Sequence, residues 1–136
     1  IASDHAPHLI EEKKQSYWQA PAGMPGVQTM GPLVFNAVSE KKLSLGRAVE
    51  LLCMNPAKIF GIANKGELTV GFDADLALVD LKKTRKVENS KVFSKCGWSA
   101  FNSMKLKGVV EKTIINGQIV FDQEKFMGGF LGKEVF

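Results

Sequence analysis

The chain has 136 residues, of which 45% are hydrophobic and 24% charged, a composition typical of a soluble globular protein. It contains no apolar run near the roughly 18 residues of a membrane span and no basic leader ahead of an apolar block, so we expect neither a membrane partner nor export. The net charge of +4 combines −2 over residues 1–80 with +6 over residues 81–136, but the lysines are scattered and lack a phosphate loop or stacking aromatics, which argues against a nucleic-acid partner.

The first half is predicted to be a loop followed by helices. Pro and Gly crowd residues 9–29, which indicates a long loop, and loops of this length are usually functional. Apolar residues at helical spacing predict an amphipathic helix over residues 30–42. Ser44 is a candidate N-cap for a second helix, and the Asn55-Pro56 pair a candidate start for a third that ends at Gly61.

The second half has the pattern of antiparallel strands. Residues 67–70 and 74–80 are predicted strands on either side of a turn, and the second of them is apolar on both faces. Asn116-Gly117 is the commonest two-residue hairpin signal, and it predicts a hairpin of residues 109–115 and 118–121.

The two cysteines and a pair of aspartates are interpreted as structural, although both residue types often act in catalysis or metal binding. Cys53 and Cys96 have no C-x-x-C spacing, and Cys53 lies in an apolar helical run, so a buried, reduced thiol is expected, as in a cytoplasmic protein. Asp73 and Asp75 flank a turn, which favours a turn-forming role over a calcium or acid-base site.

The most specific chemical pattern stands at residues 3–8, Ser-Asp-His-Ala-Pro-His. A carboxylate at the end of a strand, such as that of Asp4, can ligate a metal and transfer a proton, and a histidine in the following loop, such as His8, can bind an anionic group of a substrate. Only Ile1 and Ala2 of such a strand are present and the chain does not start with Met. We therefore expect the C-terminal piece of a longer protein.

Further motifs follow this one in order. They are Ala20 to Thr29 (APAGMPGVQT), Asn55 to Gly61 (NPAKIFG), Lys65 to Leu68 (KGEL) and Val70 to Asp80 (VGFDADLALVD). From Ile1 to about Phe121 the chain resembles the cyclic amidohydrolases, and most closely the dihydroorotases, whereas residues 122–136 match no motif. The resemblance implies an α/β fold in which residues 1–62 form the end of a (β/α)8 barrel, with its last strand ending at Asp4. Residues 63–136 would form the C-terminal half of a small β-sandwich.

The same resemblance implies roles for individual residues. Asp4 would ligate one of two zinc ions, take the proton from the attacking hydroxide and return it to the leaving nitrogen. His8 would bind the substrate carboxylate, and the backbone of Ala22 and Gly23 would hydrogen-bond the dihydropyrimidine ring. Ala22 replaces the Phe that is frequent in the family, so no side-chain contact is expected there. For His5, packing beneath the turn and contact with the site both stay open.

The leading hypothesis is a zinc-dependent dihydroorotase, which interconverts L-dihydroorotate and N-carbamoyl-L-aspartate in cytoplasmic pyrimidine biosynthesis. The alternatives are a hydantoinase or dihydropyrimidinase, in which the position of His8 is usually apolar, and an inactive homologue kept as an assembly subunit. Because the other zinc ligands of the family lie outside this chain, we expect the chain alone to be inactive and to need its N-terminal part as partner. A homo-oligomer is also implied by the resemblance.

Overall fold

The computed structural model describes residues 1–129, 132 and 134, so the predicted second unit falls partly outside the described residues. The helices are α1 (Ile10–Lys13), α2 (Val27–Ser39), α3 (Leu45–Val49) and α4 (Asn55–Phe60). The strands are β1 (Leu76–Lys86), β2 (Lys105–Ile115), β3 (Gln118–Asp122) and β4 (Lys125–Phe126). None of the described helices combines the length and apolarity needed to cross a membrane.

Helix α2 is displaced along the chain from its predicted range of 30–42. It begins at Val27, whose backbone N–H donates to His5 Nδ1 at 3.3 Å, a contact that periodicity cannot reveal. It ends at Ser39, just before Lys41 adopts a left-handed conformation (φ 59°) and turns the chain. One helical turn, α1, also interrupts the predicted long loop.

The two helices predicted after Ser44 form one continuous helical segment. Ser44 is the N-cap, as predicted, because its Oγ accepts a first-turn backbone N–H at 3.1 Å. The prediction that Asn55 is a cap is wrong: its backbone is helical, and a π-helical turn at Glu50–Met54 joins α3 to α4. This wider turn accommodates Pro56, which has no N–H to donate to the preceding turn. The segment ends at left-handed Gly61 (φ 66°), as predicted.

Cys53 lies on the π-helical turn and is exposed, so the prediction of a buried thiol is wrong. Partial burial by neighbouring atoms nevertheless raises the pKa of the Cys53 thiol.

The second half is an antiparallel sheet, as predicted, and its strand order is β1-β2-β3-β4. The predicted hairpin is confirmed: Asn116 and Gly117 join β2 to β3 with φ angles of 49° and 77°, the type I′ geometry. A second tight turn at Gln123 and Glu124 (φ 45° and 74°) adds β4, in a region where the sequence shows no motif.

Of the two strands predicted on either side of the turn, the one at residues 74–80 forms as part of β1 and the one at residues 67–70 does not form. Residues 67–70 form no strand, and Leu68 and Val70 are almost fully exposed, because β1 is an edge strand whose described partner is β2 alone. For the same reason Leu76 and Leu78 are more than a third exposed instead of buried on both faces. Residues 1–4 also form no strand, and the backbone pairing there is an isolated parallel bridge between His5 and Met24.

The core lies where α2 packs on β2. The buried apolar residues of the described chain are Ala48, Ala57, Leu106, Val109 and Val120. Gly108 (φ 99°) lies directly beneath Phe35, and a Cβ at this position would come within 2.4 Å of Phe35 Cβ, so only glycine permits the close approach. Beside it, Asn36 Oδ1 accepts the backbone N–H of Lys107 at 2.9 Å. These contacts join the helical half to the sheet.

Candidate active site

Asp4 is exposed and adopts a left-handed backbone conformation (φ 44°), which is uncommon for a residue other than glycine. The segment before it is tied to the helical half, because the backbone nitrogen of Ile1 donates to the carbonyl of Leu51 at 2.9 Å. The carboxylate thus stands at a sharp change of chain direction with its surface open to solvent.

His5 joins the Asp4 turn to the loop before α2. Its Nδ1 accepts the backbone N–H groups of Gly26 at 3.0 Å and Val27 at 3.3 Å. Next to it, the N–H of Ala6 donates to the carbonyl of Met24 at 3.1 Å. Of the two interpretations left open for His5, the structure supports the structural one.

The same contacts bring the predicted ring-binding pair close to the Asp4 turn. Ala22 and Gly23 are both exposed. Gly23 (φ 106°) lies so close to Ala6 that a Cβ would come within 2.5 Å of Ala6 Cβ. Lys13 Nζ donates to the carbonyls of Pro21 and of Gly23, the latter at 3.0 Å, and holds the loop from the side of α1. One lone pair of the Gly23 carbonyl is therefore already occupied.

His8 lies in the turn between the Asp4 segment and α1, with its side chain 32% exposed. Its Nδ1 is 3.8 Å from Glu12 Oε2, an ion pair whenever the imidazole is protonated. Glu12 Oε2 also accepts the backbone N–H of Leu9 at 2.6 Å. The carbonyl of His8 accepts the indole N–H of Trp98 at 2.7 Å, although the two residues are 90 positions apart.

The donor set fits one ligand of a zinc site and no more. An exposed carboxylate such as that of Asp4 is a suitable oxygen ligand. Within residues 1–129, 132 and 134, no three His, Cys, Asp or Glu side chains are grouped so that they could hold a metal ion. Zinc takes about four ligands, so a zinc ion bound by Asp4 would need further ligands from outside the described residues.

A cavity of about 850 Å³ lies elsewhere, between the start of α2, the segment after β1 and one face of the sheet. Its lining is largely apolar and includes Phe93, Leu106, Val109 and Phe126. His5 reaches its rim, but Asp4, His8, Ala22 and Gly23 do not line it. The predicted catalytic and substrate-binding residues therefore lie outside this cavity.

Lys13 and Trp98 contact the predicted site residues but were not identified from the sequence. The side chains of both residues donate to main-chain carbonyls. No rule of sequence spacing predicts that a lysine in α1 contacts a loop carbonyl, or that an indole contacts a residue 90 positions away. The one feature of the sequence that could have identified Lys13 is its position within the predicted functional loop.

Comparison with known proteins gives a consistent result. Residues 1–120 match the model of the amidohydrolase family. A dihydroorotase of Pyrococcus furiosus is 38% identical over 135 residues, which cover 99% of this chain and 31% of the relative. A dihydroorotase of Methanosarcina acetivorans is 40% identical over 126 residues, which cover 91% of this chain and 27% of the relative.

Among solved structures, L-hydantoinase (dihydropyrimidinase) from Arthrobacter aurescens is 37% identical and superposes with a TM-score of 0.87, covering 92% of this chain and 29% of that protein. The chain thus spans about three tenths of the length of the relatives that it matches.

Proposed function

Because this chain belongs to the amidohydrolase family, we propose that it is the C-terminal part of a zinc-dependent dihydroorotase. Its fold is the end of a (β/α)8 barrel followed by part of a small β-sandwich. We assign residues 1–62 to the barrel and residues 63–136 to the sandwich. The reaction is the interconversion of L-dihydroorotate and N-carbamoyl-L-aspartate in cytoplasmic pyrimidine biosynthesis, with the other metal ligands supplied by the N-terminal part of the same protein and with a homo-oligomer as the assembly.

The observation that carries this proposal is the attachment of the Asp4 turn to the loop containing Ala22 and Gly23. His5 and Ala6 make this attachment through three backbone groups of residues 24–27. A candidate acid-base group and a candidate ring-binding loop thereby share one surface. The dihydroorotases that match nearly the whole chain support the same choice of reaction.

Zinc, when bound, activates the attacking water and polarises the ring amide. Asp4 contributes one ligand, accepts the proton of the water and delivers it to the amide nitrogen as the ring opens, so the proton count balances. The exposed backbone of Ala22 and Gly23 holds the ring. His8 donates from its imidazole to the carboxylate of the substrate, a charge-assisted hydrogen bond when the imidazole is protonated.

The proposal is tested with His8→Ala in the intact protein, assayed on dihydroorotate and on dihydrouracil, which has the same ring without the carboxylate. A hydrogen bond to a charged group corresponds to about a ten- to a hundred-fold loss of kcat/KM, which we expect on dihydroorotate. On dihydrouracil the loss should be small, since His8 has no carboxylate to bind.

A hydantoinase is the second candidate function, favoured by the likeness to L-hydantoinase over 92% of the chain. Equal losses on the two substrates, or a wild-type protein that prefers dihydrouracil, would put this candidate first. Glu12→Gln serves as a control, because it removes the charge beside His8 while it keeps the imidazole.

A further inference from the structure

Trp98 forms a direct contact between the sheet half and the turn that carries His8. Its indole Nε1–H donates to the carbonyl of His8 at 2.7 Å, and both side chains are partly buried. Residues 6–9 form neither helix nor strand, so no ladder of backbone hydrogen bonds fixes the position of His8. The turn therefore depends on contacts of this kind for its position.

The segment that carries Trp98, residues 87–104 between β1 and β2, is braced from within. Asn89 Oδ1 accepts the N–H of Ser99 at 3.0 Å, and Asn102 Oδ1 accepts the N–H of Asn89 at 3.0 Å. Ser99, the neighbour of Trp98, is buried. The indole is thus presented by a segment whose conformation is already held by side-chain amides.

The same segment is anchored to the helical half at a second point. Gln28, in the first turn of α2, donates from Nε2 to the carbonyl of Lys91 and accepts the N–H of Phe93, each at 2.9 Å. Two separate attachments restrict both translation and rotation of the segment relative to the site. Trp98 therefore meets the His8 turn in one orientation.

We propose that Trp98 is a positioning residue for His8 and thereby a determinant of specificity for substrates that carry a carboxylate. This inference rests on the proposed function, because it assumes that His8 binds that carboxylate. Trp98 holds the main chain of His8, while Glu12 faces its imidazole, so the two contacts act on different parts of the residue. Trp98 acts through His8 and does not itself touch the substrate.

The test uses Trp98→Phe in the intact protein, a change that keeps an aromatic ring and removes the N–H. Loss of one neutral hydrogen bond corresponds to about a three- to tenfold effect, which we expect in kcat/KM on dihydroorotate, mainly through KM, with dihydrouracil turnover unchanged. Lys95→Met is the control, since Lys95 is an exposed residue of the same segment as Trp98 and should give no change on either substrate. Equal losses of Trp98→Phe on both substrates would overturn the proposal.

A double-mutant cycle separates positioning from a general structural effect. In a His8→Ala background, Trp98→Phe should cause no further loss on dihydroorotate, since the residue through which it acts is gone. An additive loss would contradict the role.

Hydrogen exchange gives a readout without turnover. Trp98→Phe should speed exchange in the peptide that covers residues 5–14, whereas Lys95→Met should not. Unchanged exchange there would refute the positioning role whatever the enzyme does. A wild-type protein without dihydroorotase activity but with Trp98-dependent exchange would instead refute the proposed function alone and leave the contact established.

Discussion

At the scale of single residues, the organisation around Asp4 depends on its neighbour His5. The left-handed backbone of Asp4 is a strained conformation, and such strain persists where surrounding contacts hold it. His5 supplies these contacts by accepting the N–H groups of Gly26 and Val27. His5, the histidine adjacent to Asp4 in sequence, thus ties the Asp4 turn to the loop before α2.

Asp4→Asn tests the carboxylate itself. The substitution preserves size but removes the charge and the basic oxygen, so in the proposed mechanism the proton of the attacking water would have no acceptor. We expect kcat of the intact protein to fall by about a hundredfold or more, the usual loss for a general base.

Asp80→Asn is the control for Asp4→Asn, because Asp80 is an exposed carboxylate whose Oδ1 accepts backbone N–H groups in β1, far along the chain from the site. Turnover of the control should stay near wild type. Near-normal turnover of Asp4→Asn would remove Asp4 from the mechanism.

At the scale of elements, the docking of α2 on β2 should be sensitive to a single methyl group. Gly108→Ala would place Cβ within 2.4 Å of Phe35 Cβ, so the helix and strand must separate. We expect a cost of about 1–3 kcal/mol from overpacking, added to the strain of a left-handed alanine, seen as a lower Tm in thermal unfolding.

Gly97→Ala is the matched control for this steric effect. Gly97 also has a positive φ (68°), but nothing lies within 4 Å of the position that a Cβ would take, so only the backbone strain remains. Equal losses of Tm for the two variants would show that the contact with Phe35 is not tight.

A second element-scale contact stabilises the segment between α4 and β1. Lys65 Nζ pairs with Asp75 and, at 3.0 Å, with Asp73, while Asp75 Oδ1 accepts the N–H of Asn116 at the β2-β3 turn. Both aspartates therefore have the structural role predicted for them. The hydrogen bonds to Asp75 and Asp73 raise the pKa of Lys65 above its ordinary value.

The raised pKa sets the sign of a pH dependence. The stabilisation by Lys65 is complete below the unfolded-state pKa of about 10.4 and is lost as pH rises through the higher folded-state pKa. We expect Lys65→Met to lower Tm at neutral pH and this difference from wild type to shrink above about pH 10.4. Thermal unfolding from pH 8 to 12 measures this difference in Tm. Lys58→Met, at an exposed lysine, is the control. A difference that is constant over this range would show that the ion pair does not contribute.

At the scale of the whole molecule, much apolar surface is exposed. Among the described residues few apolar side chains are buried, while Ile59, Phe60, Leu68 and Val70 are each more than 60% exposed. Exposed apolar side chains in this number favour association. We expect the isolated 136-residue chain to self-associate in sedimentation velocity and to bind a hydrophobic dye. A clean monomer with cooperative unfolding would contradict this.

The sequence by itself determined the features that depend on a residue's own conformational preference or on near neighbours. The cap at Ser44, the helix end at Gly61 and the hairpin at Asn116-Gly117 are such features, because a hydroxyl or a left-handed backbone is sufficient to specify them. The motifs and their order along the chain also indicated the family, because a motif is recognised from its own residues and not from what packs against it.

Only the tertiary structure decided the features that need a distant partner. The continuity of the helix through Asn55 depends on a π-helical turn, and the failure of residues 67–70 to form a strand depends on the absence of a pairing neighbour in the described chain. The contact of His5 with the start of α2 and that of Trp98 with His8 join residues 21 or more positions apart. The physical reason is that a hydrogen bond across such a separation is set by how the elements pack, and local sequence contains no record of that packing.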